Sequence, residues 1–228
     1  VGVSKRKGKP ASRERLEVEV RRAQLLGVGL SLFSYRSYDE VSMDELAEAG
    51  GISKGLLYHY FPTKRDLYVA ALADIAQQLL KQTVTPTTMP PAERVRHSLE
   101  TYISFVERHG PMYGALVSGG IGSDTQVAAI LERTRSTFVA RLVDDHPPEV
   151  VTPLLRMALR GYIGFVEAAV LAWTGKRSRG VSREELITLL TAVLFDAVAR
   201  GIAQPMPSSS PKRRHAQSSK DHRGTSER

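Results

Sequence analysis

ISKGLLYHYFPTKRDL, residues 52–67, sets Tyr58, His59 and Tyr60 between Lys54 and Lys64, with no nucleophile–base–acid set among them. The residues just upstream give this cluster a frame. Ser42-Met43-Asp44-Glu45 is a capping box, in which Ser42 can accept from the Glu45 amide while the Glu45 side chain reaches back. Gly50-Gly51 ends the short helix so begun, and Ser53 can cap the next. Thr63 with Asp66 can start a further helix along Leu67, Ala71, Ile75 and Leu79. Residues 42–61 therefore read as a short helix, a tight turn and a second short helix, which is the helix-turn-helix arrangement. At about 100° per residue, Leu57 and Phe61 share one face, Gly55 and His59 lie opposite, and Leu56 and Tyr58 flank them.

The chemistry of that outward face suits a nucleic acid. A helix start with free amides and a positive dipole end, beside Lys54, attracts phosphates and base-edge acceptors. Gly55 removes bulk where a partner must come close. Tyr58, His59 and Tyr60 can donate to phosphate oxygens, and Lys64 adds a point charge. The plain alternative is a solvent-exposed helix whose aromatic residues pack on Phe61.

Outward from this stretch the chain reads as helices only. Leu16, Val20, Ala23, Leu26, Leu30 and Phe33 recur at helical spacing, so residues 16–82 hold four helices. After TPTTMPP, helical patterns return at about 92–108, 111–118, 125–144, 151–173 and 183–203, the last opened by the capping box Ser182-Arg183-Glu184-Glu185. The predicted fold is all-α with about nine helices. The expected organisation is a basic disordered arm over 1–15, a helix-turn-helix domain over 16–62, a helical domain over 63–204 and a basic disordered tail over 205–228.

The 228 residues carry a formal net charge of +8, and the arm holds +5 and the tail +4 of it, which leaves the body at −1. Such tails are either simply solvated or drawn to a polyanion. Cysteine is absent, which excludes disulfides and thiolate zinc sites. The most apolar run, Leu154–Trp173, is broken by Arg156, Arg160 and Glu167, and the N-terminus lacks a secretory pattern, so a cytoplasmic protein associated with the nucleoid is expected. His97, His109 and His146 have no partner at metal-ligand spacing, Gly119-Gly120-Ile121-Gly122 lacks dinucleotide-loop spacing, and Asp144-Asp145-His146 reads as a helix end before Pro147. Neither a metal, a cofactor nor an enzyme activity is expected.

VSMDELAEAGGISKGLLYHYFPTKRDL resembles the DNA-binding signature of tetracycline-repressor (TetR) family transcriptional regulators. The resemblance rests on Leu46-Ala47, Gly51-Ile52-Ser53, Gly55, Leu57-Tyr58, Phe61 and Thr63-Lys64 before Leu67, and covers about 45 residues with the first helix. Ser37 and Gly50 depart from it, standing where the family often has Gly and Ala. The resemblance implies that the second helix lies on the phosphate backbone, that the third enters the major groove, and that the fourth leads to a ligand-binding and dimerisation domain. By position it makes Ser42, Tyr58, His59, Tyr60 and Lys64 mainly backbone contacts and sets Ser53, Lys54, Gly55 and Leu56 nearest the bases.

What it implies as a whole is a homodimeric repressor that reads a palindromic operator in double-stranded DNA and is released by a small hydrophobic or amphipathic effector. An activator, a regulator without effector and an architectural binder driven by the tails are the alternatives. Tyr102, Phe105, Met112, Tyr113, Phe138, Met157, Tyr162 and Phe165 are core residues or, in part, walls of an effector cavity. Along 154–173 Leu155, Ala158, Tyr162, Phe165 and Ala169 oppose Leu159, Ile163, Val166, Val170 and Trp173, and the helix over 183–203 is similarly apolar. Burial on two sides, one of them a two-fold mate, is the expectation.

Overall fold

The computed structural model describes residues 10–117, 124–175 and 180–202, with the backbone alone over 10–15. Each short helix of the N-terminal part starts where a side chain satisfies its free amides. In α2 (Met43–Ala49) the Ser42 hydroxyl accepts from the Glu45 amide, and the Ser42 amide donates to the Glu45 carboxylate at 2.8 Å. In α3 (Lys54–Tyr60) the Ser53 hydroxyl accepts from the Leu56 amide at 3.2 Å. Between them Gly51 takes φ 62, a left-handed conformation that glycine adopts without steric cost. Thr63 and Asp66 form a second capping box at the head of α4 (Lys64–Gln82).

Helix α1 (Pro10–Phe33) departs from expectation. It starts at Pro10, not Leu16, so part of the expected arm is helical. Leu16 and Val20 of the anticipated stripe are 64% and 50% exposed, and Ala23 is exposed too. The periodicity is real, but no neighbouring element covers that end of the helix. Burial begins at Leu25 and continues through Gly29 to Phe33, where Gly29 lets the Leu67 side chain approach to 3.2 Å of a would-be Cβ. Gly50 is comparably tight: a methyl there would stand 3.0 Å from Leu25 Cδ2, which accounts for the departure at this position. At Ser37 the amide and hydroxyl both donate to Glu40, holding the turn without a glycine.

The remaining described elements are α5 (Pro91–Arg108), α6 (Gly110–Val117), α7 (Thr125–Asp144), a 3-10 turn (Pro148–Val150), α8 (Pro153–Thr174) and α9 (Arg183–Ile202). These bounds lie close to the predicted ones because caps mark them: Asp124 accepts from the Gln126 and Val127 amides, Thr152 accepts from the Leu155 amide, and Ser182 with Glu185 opens α9. Asp145 caps the C-terminus of α7, as expected for the Asp144-Asp145 pair. Helix α4 lies between α1 and α7, while α8 and α9 run along each other. The expected loop at 119–122, the tail and most of the arm lie outside the described residues.

One apolar core extends from Leu25, Leu46, Leu57 and Phe61 through Leu67, Leu72 and Ile75 to Leu79, Ile103, Leu159 and Leu190. Truncating one such leucine to alanine costs about 2–5 kcal/mol. Helix α4 carries this continuity. Its Tyr68 meets Phe33 edge-on with ring centroids 4.9 Å apart and Tyr38 at 5.0 Å. Burial first, then Tyr38 and Asp39, pushes the Tyr68 phenol up to about 12.

Candidate nucleic-acid interface and ligand cavity

The helix-turn-helix presents the expected residues together. Leu57 and Phe61 are buried and anchor α3, while Ser42, Ser53, Lys54, Gly55, Leu56, Tyr58 and His59 are exposed and Tyr60 and Lys64 half-exposed. Leu56 and Tyr58 each keep 41% of their surface in solvent, an arrangement the fold does not need. A methyl at Gly55 would meet no atom within 4 Å, so packing does not require glycine there. The rings of His59 and Tyr60 stand edge to face at 5.4 Å, and the Arg22 guanidinium lies 4.8 Å from the Phe61 ring centroid, bracing α3 on α1.

The cations on this face are held in place. Lys54 Nζ donates to Asp44 Oδ2 at 2.9 Å, linking α3 to α2 and raising the lysine pKa through that hydrogen bond. The Lys64 ammonium sits 4.2 Å from the centre of the Tyr38 ring, a cation–π contact that leaves its N–H groups free to donate. Arg36 donates to Glu45 at 2.8 Å, and this bond first, then those from Ser42, holds the Glu45 carboxyl down at about 2. The Lys54–Asp44, Lys64–Tyr38 and Arg36–Glu45 pairings do not show in helical spacing, since each joins separate elements.

In the helical domain a cavity of about 320 Å³ opens between α4, α5, α6, α7 and α8. Leu79, Leu99, Leu116, Leu131, Ile163 and Val166 form its apolar wall. Of the residues expected to line it, Tyr102, Tyr113, Phe138 and Tyr162 do so. Phe105 and Met112 do not: both are 1% exposed, fully committed to the core. Met157 and Phe165 do not either, being 66% and 39% exposed on the outer face of α8. Helix α8 is apolar nearly all round, so composition alone could not tell its inner from its outer face.

Part of the cavity wall is polar. The Tyr102 and Tyr113 hydroxyls bond to each other, and burial raises both phenols well above their ordinary value. The Tyr162 hydroxyl is buried with no partner among the described residues. Glu167 is answered by Arg135, whose Nε and Nη2 donate to it at 2.9 and 2.5 Å. Also on the wall, Arg94 pairs with Asp145, and Arg141 donates to the Leu80 carbonyl at 2.8 Å and the Thr83 hydroxyl at 3.2 Å. These charged residues sit among other polar residues on α5 and α7, or singly on α8, and carry no spacing signal that would have singled them out. No helix among the described residues is long and apolar enough to cross a membrane, and no metal-binding cluster occurs among them.

An N-terminal helix-turn-helix with an outward polar α3, joined by one helix to an all-helical domain, defines a helix-turn-helix DNA-binding regulator. Residues 25–71 match the family of bacterial regulatory proteins, tetR family, and residues 91–196 match the tetracyclin repressor-like C-terminal domain. A crystal structure of a tetR-family transcriptional regulator from Streptomyces coelicolor is 35% identical, with a TM-score of 0.71 over 81% of this chain and 89% of that one. The chain belongs to the TetR family and is a DNA-binding transcriptional regulator. Among curated relatives it is 32% identical to the HTH-type transcriptional activator FasR of Mycolicibacterium smegmatis over 50% of this chain, spanning about half (53%) of that protein's length. It is 25% identical to the HTH-type transcriptional repressor KstR of Rhodococcus jostii, over 77% of this chain and 82% of that protein.

Proposed function

We propose that the chain is a homodimeric, ligand-responsive repressor acting on a palindromic operator in the cytoplasm, without a catalytic step. The observation that carries this reading is that one helix serves both sites. Leu79 and Thr83, at the far end of α4, line the cavity, while Lys64 and Thr63 stand at its DNA end. A ligand that shifts α4 moves α3 relative to its two-fold mate, and two half-sites at a set separation of about 34–36 Å tolerate little change. Release is limited by the ligand's differential affinity for the two arrangements.

On DNA, Ser53, Lys54, Gly55 and Leu56 are assigned to the bases, and Ser42, Tyr58, His59, Tyr60 and Lys64 to the phosphates; their shared exposure supports this. The basic arm follows the backbone or minor groove. Dimerisation is assigned to α8 and α9. Met157, Phe165, Leu189 and Phe195 are large apolar residues left 39–66% exposed, with Gly161, Ala168, Ala172 and Ala192 also exposed between them. This mate-facing stripe is offset from the one expected, because Leu155, Tyr162, Leu159, Ile163, Val166 and Val170 are all buried in the protomer's own core.

Selection of bound duplexes from a random pool tests the DNA part: an inverted repeat is expected, and an unspecific pool would support an architectural binder instead. Titration of the selected operator with apolar ligands tests the switch. Ligand-induced release supports a repressor, whereas ligand-strengthened binding favours an activator, the direction in the name of FasR.

A further inference from the structure

Two polar side chains that border the cavity are left unanswered by the described residues. Tyr162 is 6% exposed, and its hydroxyl has no partner among the described residues. An unpaired buried hydroxyl is costly, and a ligand oxygen that accepts from it would relieve that cost. The Tyr102–Tyr113 pair adds a further donor to the cavity wall, because only one of its two hydroxyl protons is used within the pair.

The two arginines that border the cavity, Arg94 and Arg141, differ. Arg94 is neutralised by Asp145. Arg141 is half-buried against Phe138, 5.6 Å from the ring centroid, and its donors reach only neutral oxygens of Leu80 and Thr83. No carboxylate among the described residues lies within ion-pair distance of it, although Asp144 and Asp145 also border the cavity. Burial lowers its pKa with no nearby acid opposing that shift, yet a guanidinium remains charged in proteins. A partly desolvated, unpaired cation facing an apolar cavity matches a carboxylate, which can take its remaining N–H groups in a fork.

We propose that the cavity takes a small amphipathic carboxylic acid, its carboxylate on Arg141 and a second oxygen at its far end accepting from Tyr162. This rests on the cavity being the effector site, as proposed above. A volume of about 320 Å³ suits a medium-length acid with an apolar body, at the small end of ligand pockets. The body lies against Leu99, Leu131 and Ile163.

Calorimetric titration of the full chain with decanoate, 1-decanol, decyltrimethylammonium and 10-hydroxydecanoate, all below micelle formation, tests the assignment. Decanoate is expected to bind at least about tenfold tighter than decanol or the ammonium compound, and 10-hydroxydecanoate about threefold tighter than decanoate. Arg141→Gln should erase the preference for acid over alcohol, and Arg141→Lys, which keeps the charge but loses the fork, should weaken it. Tyr162→Phe should make the two acids equal while decanoate still outcompetes decanol. Equal binding of decanoate and decanol, preference for the ammonium compound, or an acid preference that survives in Arg141→Gln overturns the proposal and leaves the cavity as an effector site of other chemistry. Binding of none of the four probes overturns this proposal, while the ligand-switch reading is decided by the operator titration above.

Discussion

Arg65 at the head of α4 grips Asp124 at the head of α7, with Nε donating to Oδ2 at 2.7 Å and Nη2 to Oδ1 at 3.0 Å. Asp124 at the same time caps α7, so the DNA end of α4 is fastened to the first turn of a cavity wall. The Arg65 hydrogen bond, more than the bonds from the Val127 and Gln126 amides, holds the Asp124 carboxyl below its usual value.

The sign of the resulting pH dependence follows. A depressed carboxyl stabilises the fold fully above its unfolded value, near 4, and that contribution is lost as pH falls through the lower folded value. Asp124→Asn keeps an oxygen for the cap but removes the charge. Acid unfolding followed by circular dichroism should show a variant less stable than wild type at pH 7, with the difference shrinking below about pH 4. A constant difference across that range would mean that the ion pair contributes nothing.

Lys54 is bonded to Asp44 in the DNA-free protein, and both side chains are well exposed. Asp44→Asn should free Lys54 and tighten binding to DNA. Lys54→Ala should relax preference at one operator position, by about 1–3 kcal/mol if it reads a base. Tyr58→Phe should instead weaken all sequences alike. Anisotropy titrations against single-base operator variants separate these patterns.

Gly201 sets the approach of α9 to α8. A Cβ there would lie 2.9 Å from Leu155 Cα, which is backbone and cannot swing away, and the Gly201 carbonyl accepts from the Thr152 hydroxyl at 2.9 Å. Gly201→Ala should therefore destabilise by about 1–3 kcal/mol, read from urea unfolding. Stability equal to wild type would show that the helices separate freely.

Tyr162→Phe removes the buried hydroxyl that no group among the described residues answers. The ligand-free protein should gain stability on the order of 1 kcal/mol, visible as a higher melting temperature. A lower melting temperature would show that the hydroxyl is satisfied within the fold.

Phe195 keeps 45% of its surface exposed on α9. If this face meets a second copy, Phe195→Asp should produce monomers by light scattering at micromolar concentration without loss of helicity. An unchanged dimer mass would place the interface elsewhere.

The helix-turn-helix and most helix boundaries, the start of α1 excepted, were legible in the sequence because local chemistry governs them. Ser42 with Glu45, Thr63 with Asp66 and Ser182 with Glu185 each satisfy amides within one turn, and Leu57 and Phe61 share a face by helical geometry alone. Only tertiary structure decided what lies between elements. Leu16 and Val20 have the right period but no neighbour, and Phe105 and Phe165 differ in fate because α5 and α8 turn them toward opposite environments. The Arg65–Asp124 pair joins residues 59 positions apart, and Arg141 meets Leu80 and Thr83 across two helices. Helical periodicity fixes the phase of residues along one axis, whereas such contacts depend on the rotation and separation of several axes, which the packing of the whole core determines.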